Sequence, residues 1–125
     1  HTTSSDALWA GLPLPTIKGS NFASRVTESL LKNLGLPELV CETDEAYVEK
    51  VVTLAQNADE RQKVRCKIGD NRFSSPLFDT ERFARHLESA FETMVLRAKS
   101  GQAPEHFDVA ALAPRQAPFK QKRLS

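Results

Sequence analysis

Short apolar runs along the chain alternate with segments in which apolar residues recur every three or four positions, and Gly11, Gly35, Gly69 and Gly101 stand near the ends of those periodic segments. Polar residues crowd the first six positions, His1, Thr2, Thr3, Ser4, Ser5 and Asp6, and run directly into Ala7, Leu8, Trp9 and Ala10. This pattern predicts a helix that runs to about Ala10 and stops at Gly11, where glycine accepts the left-handed conformation that ends helices. "LPLPTI" is a short apolar run carrying Pro13 and Pro15; proline cannot donate to a ladder, so the run predicts a short strand whose proline-bearing half lies outside central pairing. After the loop "KGSN", in which Ser20 or Asn21 can cap, Phe22, Val26, Leu30 and Leu34 recur every four residues, with Ala23 and Leu31 broadening the stripe. Gly35 ends this second helix.

"LPELVC" has the length of a buried parallel strand. Thr43, with Asp44 and Glu45 behind it, reads as an N-cap followed by acids that complement the helix dipole, and Tyr47, Val48, Val51, Val52 and Ala55 form the expected inner stripe. Asn57 with Glu60 three residues on resembles a capping box for a further helix towards Gly69. Asp79 can cap a long helix with the apolar face Phe83, Leu87, Ala90, Phe91, Met94 and Ala98, ended by Gly101 and followed by Pro104. In "SSPLFD", Pro76 should fix a turn that docks Leu77 and Phe78 on the body. The resulting order, helix, strand, helix, strand and three further helices, is part of an alternating α/β unit. Two short strands do not make a stable sheet alone, so partner strands are expected upstream of His1.

The chain has 125 residues, 40% hydrophobic and 26% charged, with a net charge of +1. No run of eighteen apolar residues and no signal-peptide core is present, so neither membrane insertion nor secretion is indicated and a cytoplasmic setting is expected. Cys41 and Cys66 stand far apart without metal-ligand spacing and read as reduced thiols. The charge is asymmetric. From Arg115 onward there are four basic residues, Arg115, Lys120, Lys122 and Arg123, and no acidic ones, which leaves 13 basic against 16 acidic residues before them. Residues 102–125 therefore read as a basic, proline-containing, disordered tail, and residues 1–101 as the folded part. One aromatic, Phe119, beside those charges does not make a nucleic-acid groove.

The first six residues carry the sharpest chemical signal. A helix N-terminus presents unpaired amides and the positive end of a dipole, and the hydroxyls of Thr2, Thr3 and Ser4 add donors suited to a phosphate. His1 can add an imidazole donor, and Asp6, one turn in, can accept from sugar hydroxyls. Simple helix capping remains the competing reading of the same residues. His86 and His106 carry no comparable signal, and Arg25 reads as a structural residue pairing with a carbonyl or carboxylate.

"HTTSSDALWAGLPLPTIKGSNFASRVTESLLKNLGLPELV", then "EAYVEKVVTLA", then "SSPLFDTERFARHLESAFETM", resembles the C-terminal segment of the O-linked N-acetylglucosamine transferase family, glycosyltransferase family 41. The similarity is continuous from His1 to about Met94. It implies the C-terminal portion of a Rossmann-like, donor-binding GT-B domain, helix-rich, with two short parallel strands and a long last helix. It further implies inverting, metal-independent and cofactor-free transfer of N-acetylglucosamine from UDP-GlcNAc to Ser or Thr of acceptor proteins, releasing UDP. By the resemblance His1, Thr2 and Thr3 contact the donor diphosphate and Asp6 the ribose, where preorganised donors meet the charge that builds on the leaving phosphate. "KGSNFASRV" keeps the Ala-Ser-Arg core but places Ser20 and Asn21 where many relatives have an acid, so no donor contact is assigned there. The acceptor-binding domain, tetratricopeptide repeats and proton acceptors of the family are expected upstream of His1; no catalytic residue is assigned to this chain, and alone it should be inert. Two alternatives stay open: the fucosyl-transferring branch of the family, which uses GDP-fucose, and a non-catalytic helical interaction module presenting Phe83, Leu87, Phe91 and Met94.

Overall fold

The computed structural model describes residues 2–113, 115 and 117–119. Helix α1 covers Thr2–Trp9, and Gly11 closes it with φ 84° and a bond from its amide to the Leu8 carbonyl (3.0 Å). Strand β1, Thr16–Ile17, leads to α2, Phe22–Asn33. Asn21 caps α2 with a reciprocal box: its side chain accepts from the Ser24 amide (2.9 Å), and the Ser24 hydroxyl accepts from the Asn21 amide (3.2 Å). Strand β2, Val40–Cys41, runs parallel to β1 with Thr16 opposite Val40 and Ile17 opposite Cys41. Then come α3, Asp44–Gln56, capped by Thr43, and α4, Ala58–Asn71, capped by Asn57. The last helix, α5, covers Thr80–Lys99 and is capped by Asp79.

Both strands are shorter than the apolar runs that announced them. Pro13 and Pro15 keep the first half of "LPLPTI" out of the ladder, and in "LPELVC" Pro37–Leu39 turn as a short 3₁₀ helix before the chain extends. The core lies between α1, α2, the turn before β2, α3 and α4, with Leu8, Leu31, Leu34, Leu36, Leu39, Leu54, Val64 and Ile68 buried together. Leu77 and Phe78 pack against that cluster from the 3₁₀ turn Pro76–Phe78, as the proline suggested.

The apolar faces are corrected at three places. In α3 the buried residue is Leu54, while Val48, Val51 and Val52 of the expected inner stripe are exposed. In α2 the inward residues are Leu31 and Glu28, and Phe22 is largely exposed. The stripe of α5, Phe83, Leu87, Phe91 and Met94, faces outward, each residue more than two-fifths exposed. An amphipathic period identifies a face but not what covers it.

Residues 102–113 have no regular secondary structure, yet the chain returns along α5. Arg82 donates to the carbonyls of Leu112 and Ala113, and the Leu112 amide donates to His86 Nε2 (3.1 Å). Arg115, expected in a solvated tail, instead pairs with Asp79 and Glu81, because the buried Asp79 carboxylate needs a counter-charge. Lys120, Lys122 and Arg123 lie outside the described residues.

Candidate functional site

Helix α1 is anchored at its far end and open at its start. Leu8 is fully buried, whereas Thr2, Thr3 and Asp6 are exposed. Helical geometry leaves the amides of the first turn without carbonyl partners, and that turn contains no acidic side chain, so the positive end of the dipole is not neutralised from within the helix. The contrast with α3 and α4 is direct: their first turns carry Asp44 and Glu45, and Asp59 and Glu60. Thr2 and Asp6 are four residues apart and so share one helix face. His1 lies outside the described residues.

The neighbouring hydroxyls hold the helix rather than face outward. Ser4 Oγ lies 3.4 Å from Thr27 Oγ1 of α2, and Ser5 Oγ donates to the Thr2 carbonyl (2.8 Å). Of the hydroxyl residues singled out in the sequence, Thr2 and Thr3 are thus the exposed ones. Among the described residues, no group of three or more His, Cys, Asp or Glu side chains comes together as a cation site. Cys41 is buried and Cys66 exposed, both free thiols. Arg25 is exposed and its side chain makes no hydrogen bond or ion pair among the described residues; its charge acts on Glu28, whose carboxyl is held below the ordinary carboxylate range first by the Lys32 ammonium at 2.6 Å.

Two residues that the periodicity did not single out sit at the other end of α1 and α2. Asn71 Nδ2 donates to the Leu34 carbonyl (2.8 Å) at the end of α2. Arg72 stacks its guanidinium on the Trp9 ring, 5.5 Å from the centroid, while Trp9 meets Phe73 and Phe78 edge to face at 5.7 and 5.0 Å. The available signal was the pair of glycines: a Cβ at Gly11 would stand 3.0 Å from Arg72 Nη2, and one at Gly35 2.8 Å from Asn71 Nδ2.

Residues 1–87 match the family model described as glycosyl transferase family 41. The chain belongs to glycosyltransferase family 41. It is 40% identical over 106 residues to a UDP-N-acetylglucosamine–peptide N-acetylglucosaminyltransferase of Caenorhabditis elegans, a match covering 85% of this chain and 9% of that protein. A probable enzyme of the same description from Arabidopsis thaliana, SEC, is 39% identical over 110 residues, 87% of this chain and 11% of that one. The solved structure of a lysine-to-methionine variant of the Thermobaculum terrenum O-GlcNAc transferase superposes with a TM-score of 0.71 at 34% identity, covering 80% of this chain and 19% of that chain. The chain therefore spans about a tenth of the length of the curated relatives it matches. Its fold is that of the C-terminal part of a Rossmann-like GT-B domain in this glycosyltransferase 41 family. Among the described residues, no helix is long and apolar enough to cross a membrane.

Proposed function

We propose that this chain is the donor-binding part of a cytoplasmic protein O-GlcNAc transferase that moves N-acetylglucosamine from UDP-GlcNAc to Ser or Thr hydroxyls of proteins, with inversion and without a metal. The observation that carries the reading is the start of α1: an exposed, acid-free first turn with Thr2 and Thr3 outward and Asp6 one turn on. His1, Thr2 and Thr3 hold the diphosphate, and Asp6 accepts from the ribose hydroxyls. As the glycosidic bond to the β-phosphate breaks, charge gathers on the leaving oxygen, and amides already oriented by the helix stabilise it without reorganising. The relatives' names, which give N-acetylglucosamine transfer from a UDP-linked donor, support UDP-GlcNAc over the alternative GDP-fucose.

No side chain in 2–113 is assigned to proton transfer, and the 125 residues alone are expected to be inert, the acceptor site being supplied by the N-terminal remainder of the catalytic region. The test is calorimetric titration of UDP and transfer of labelled N-acetylglucosamine by the full protein. Asp6→Ala and Thr3→Val should each weaken UDP binding by about tenfold, the loss of one hydrogen bond to a charged or desolvated partner. Wild-type affinity in both variants would refute the assignment. The exposed stripe of α5 favours a helical interaction role as a second reading; it makes no demand on α1, so UDP binding unaffected by Asp6→Ala is the result that would raise it.

A further inference from the structure

Helix α1 has eight residues, and its only buried residue, Leu8, lies in its last turn. So short a helix is marginal by itself, and its direction must come from contacts made elsewhere. Those contacts gather at its C-terminal end. Trp9 is boxed by the edges of Phe73 and Phe78 and by the flat guanidinium of Arg72. The same guanidinium occupies the space where a Cβ would stand at Gly11, the residue that closes the helix at φ 84°. Its charge thus stands at the negative end of the α1 dipole, and its buried Nε has no hydrogen-bond partner among the described residues, so ring and helix end are what it faces. Asn71, the preceding residue, does the same for α2 through the Leu34 carbonyl, with Gly35 as the close neighbour.

We propose that Arg72 is a positioning residue for donor binding: from the end of α4 it fixes the axis of α1 and thereby the location of Thr2, Thr3 and Asp6. The inference rests on the donor site described above. Its force comes from leverage. Eight residues span about 12 Å, so a tilt of about 5° around the Leu8–Gly11 end displaces the first turn by about 1 Å. A displacement of that size is enough to cost on the order of a hundredfold where groups must meet a reacting centre.

The experiment compares the full wild-type protein with Arg72→Met, Arg72→Lys and, as a control, Arg85→Met on the outer face of α5. Calorimetry gives the UDP dissociation constant, kinetics give KM for the sugar donor and for an acceptor peptide, and scanning calorimetry gives the melting temperature. Arg72→Met should raise the UDP dissociation constant and the donor KM by about tenfold or more, lower kcat at saturating donor as well, because the displaced amides are those that meet the charge on the leaving phosphate, and leave the acceptor KM unchanged. Arg72→Lys keeps the charge but not the planar stack, so it should fall between wild type and Arg72→Met and keep the protein folded if Arg72→Met does not. A residue that merely supports the fold would lower the melting temperature and the active fraction and leave the UDP dissociation constant of the folded protein unchanged, and that result would overturn the proposal. Wild-type donor affinity in Arg72→Met, with weakened binding in Asp6→Ala, would overturn the positioning role and keep the site. Wild-type affinity in Asp6→Ala and Thr3→Val would overturn both.

Discussion

Asp79 joins several contacts in one buried carboxylate. It caps α5 by accepting from the Arg82 amide (3.0 Å), and it receives the guanidinium of Arg115 from 36 residues downstream. Arg115 first, and then the Arg82 amide, hold this carboxyl below the ordinary carboxylate range against the opposing effect of burial. With the folded-state value depressed, the stabilisation is complete above the unfolded-state value of about 3.9 and is lost as pH falls through the folded one. The docking of Arg115 on α5 should therefore persist from neutral pH to about 4 and come apart below it, read from the Arg115 side-chain resonances during an acid titration. Asp79→Ala should destabilise by about 1–2 kcal/mol through the lost cap, and Asp79→Asn by less, because an amide oxygen still accepts from the Arg82 amide. Equal losses in chemical denaturation would show that charge and not capping carries the contribution.

Helix ends determine this fold more than strands do. Gly11 stands at φ 84° with Arg72 Nη2 where a methyl group would go, so Gly11→Ala meets both a backbone penalty and a displaced guanidinium. It should destabilise by about 1–2 kcal/mol in thermal denaturation, more than a glycine-to-alanine change in open helix surface, where the sign reverses. The helix ends were also what the sequence made legible. Asn21, Thr43, Asn57 and Asp79 were each recognisable as caps, and each side chain accepts from the amides expected of it, because capping is decided within three residues. The strands were legible in place but not in length, since ladder length depends on partners far away in sequence. The inward face of α3 was misjudged for a related reason: Val48, Val51 and Val52 satisfy the periodicity, yet burial falls on Leu54, where α4 packs back through Val64. At the candidate site the polar cluster before Ala7 was visible, whereas Arg72 and Asn71 were not, because their partners, the Trp9 ring and the Leu34 carbonyl, lie far away in sequence.

Among the described residues, apolar burial gathers between α1, α2, the turn before β2, α3 and α4, and α5 contributes no buried residue to it. Ile68→Ala, in the core, should cost about 2–5 kcal/mol, while Phe83→Ala, two-thirds exposed, should change stability by less than about 0.5 kcal/mol. That contrast, measured by denaturation in the same protein, checks that the core lies against α1, α2 and α4 and not beneath α5. The glycosyltransferase 41 family membership, the parallel strand pair and the open start of α1 support the proposal that a nucleotide-sugar diphosphate sits on the amides and hydroxyls of Thr2 and Thr3 with Asp6 beside it. The most direct test is amide resonance mapping of the labelled full protein with and without UDP. Shifts and slowed exchange should concentrate from Thr2 to Asp6, and should diminish in Asp6→Ala. If UDP binds while those amides stay unmoved, the donor lies elsewhere and α1 is only a capped structural helix.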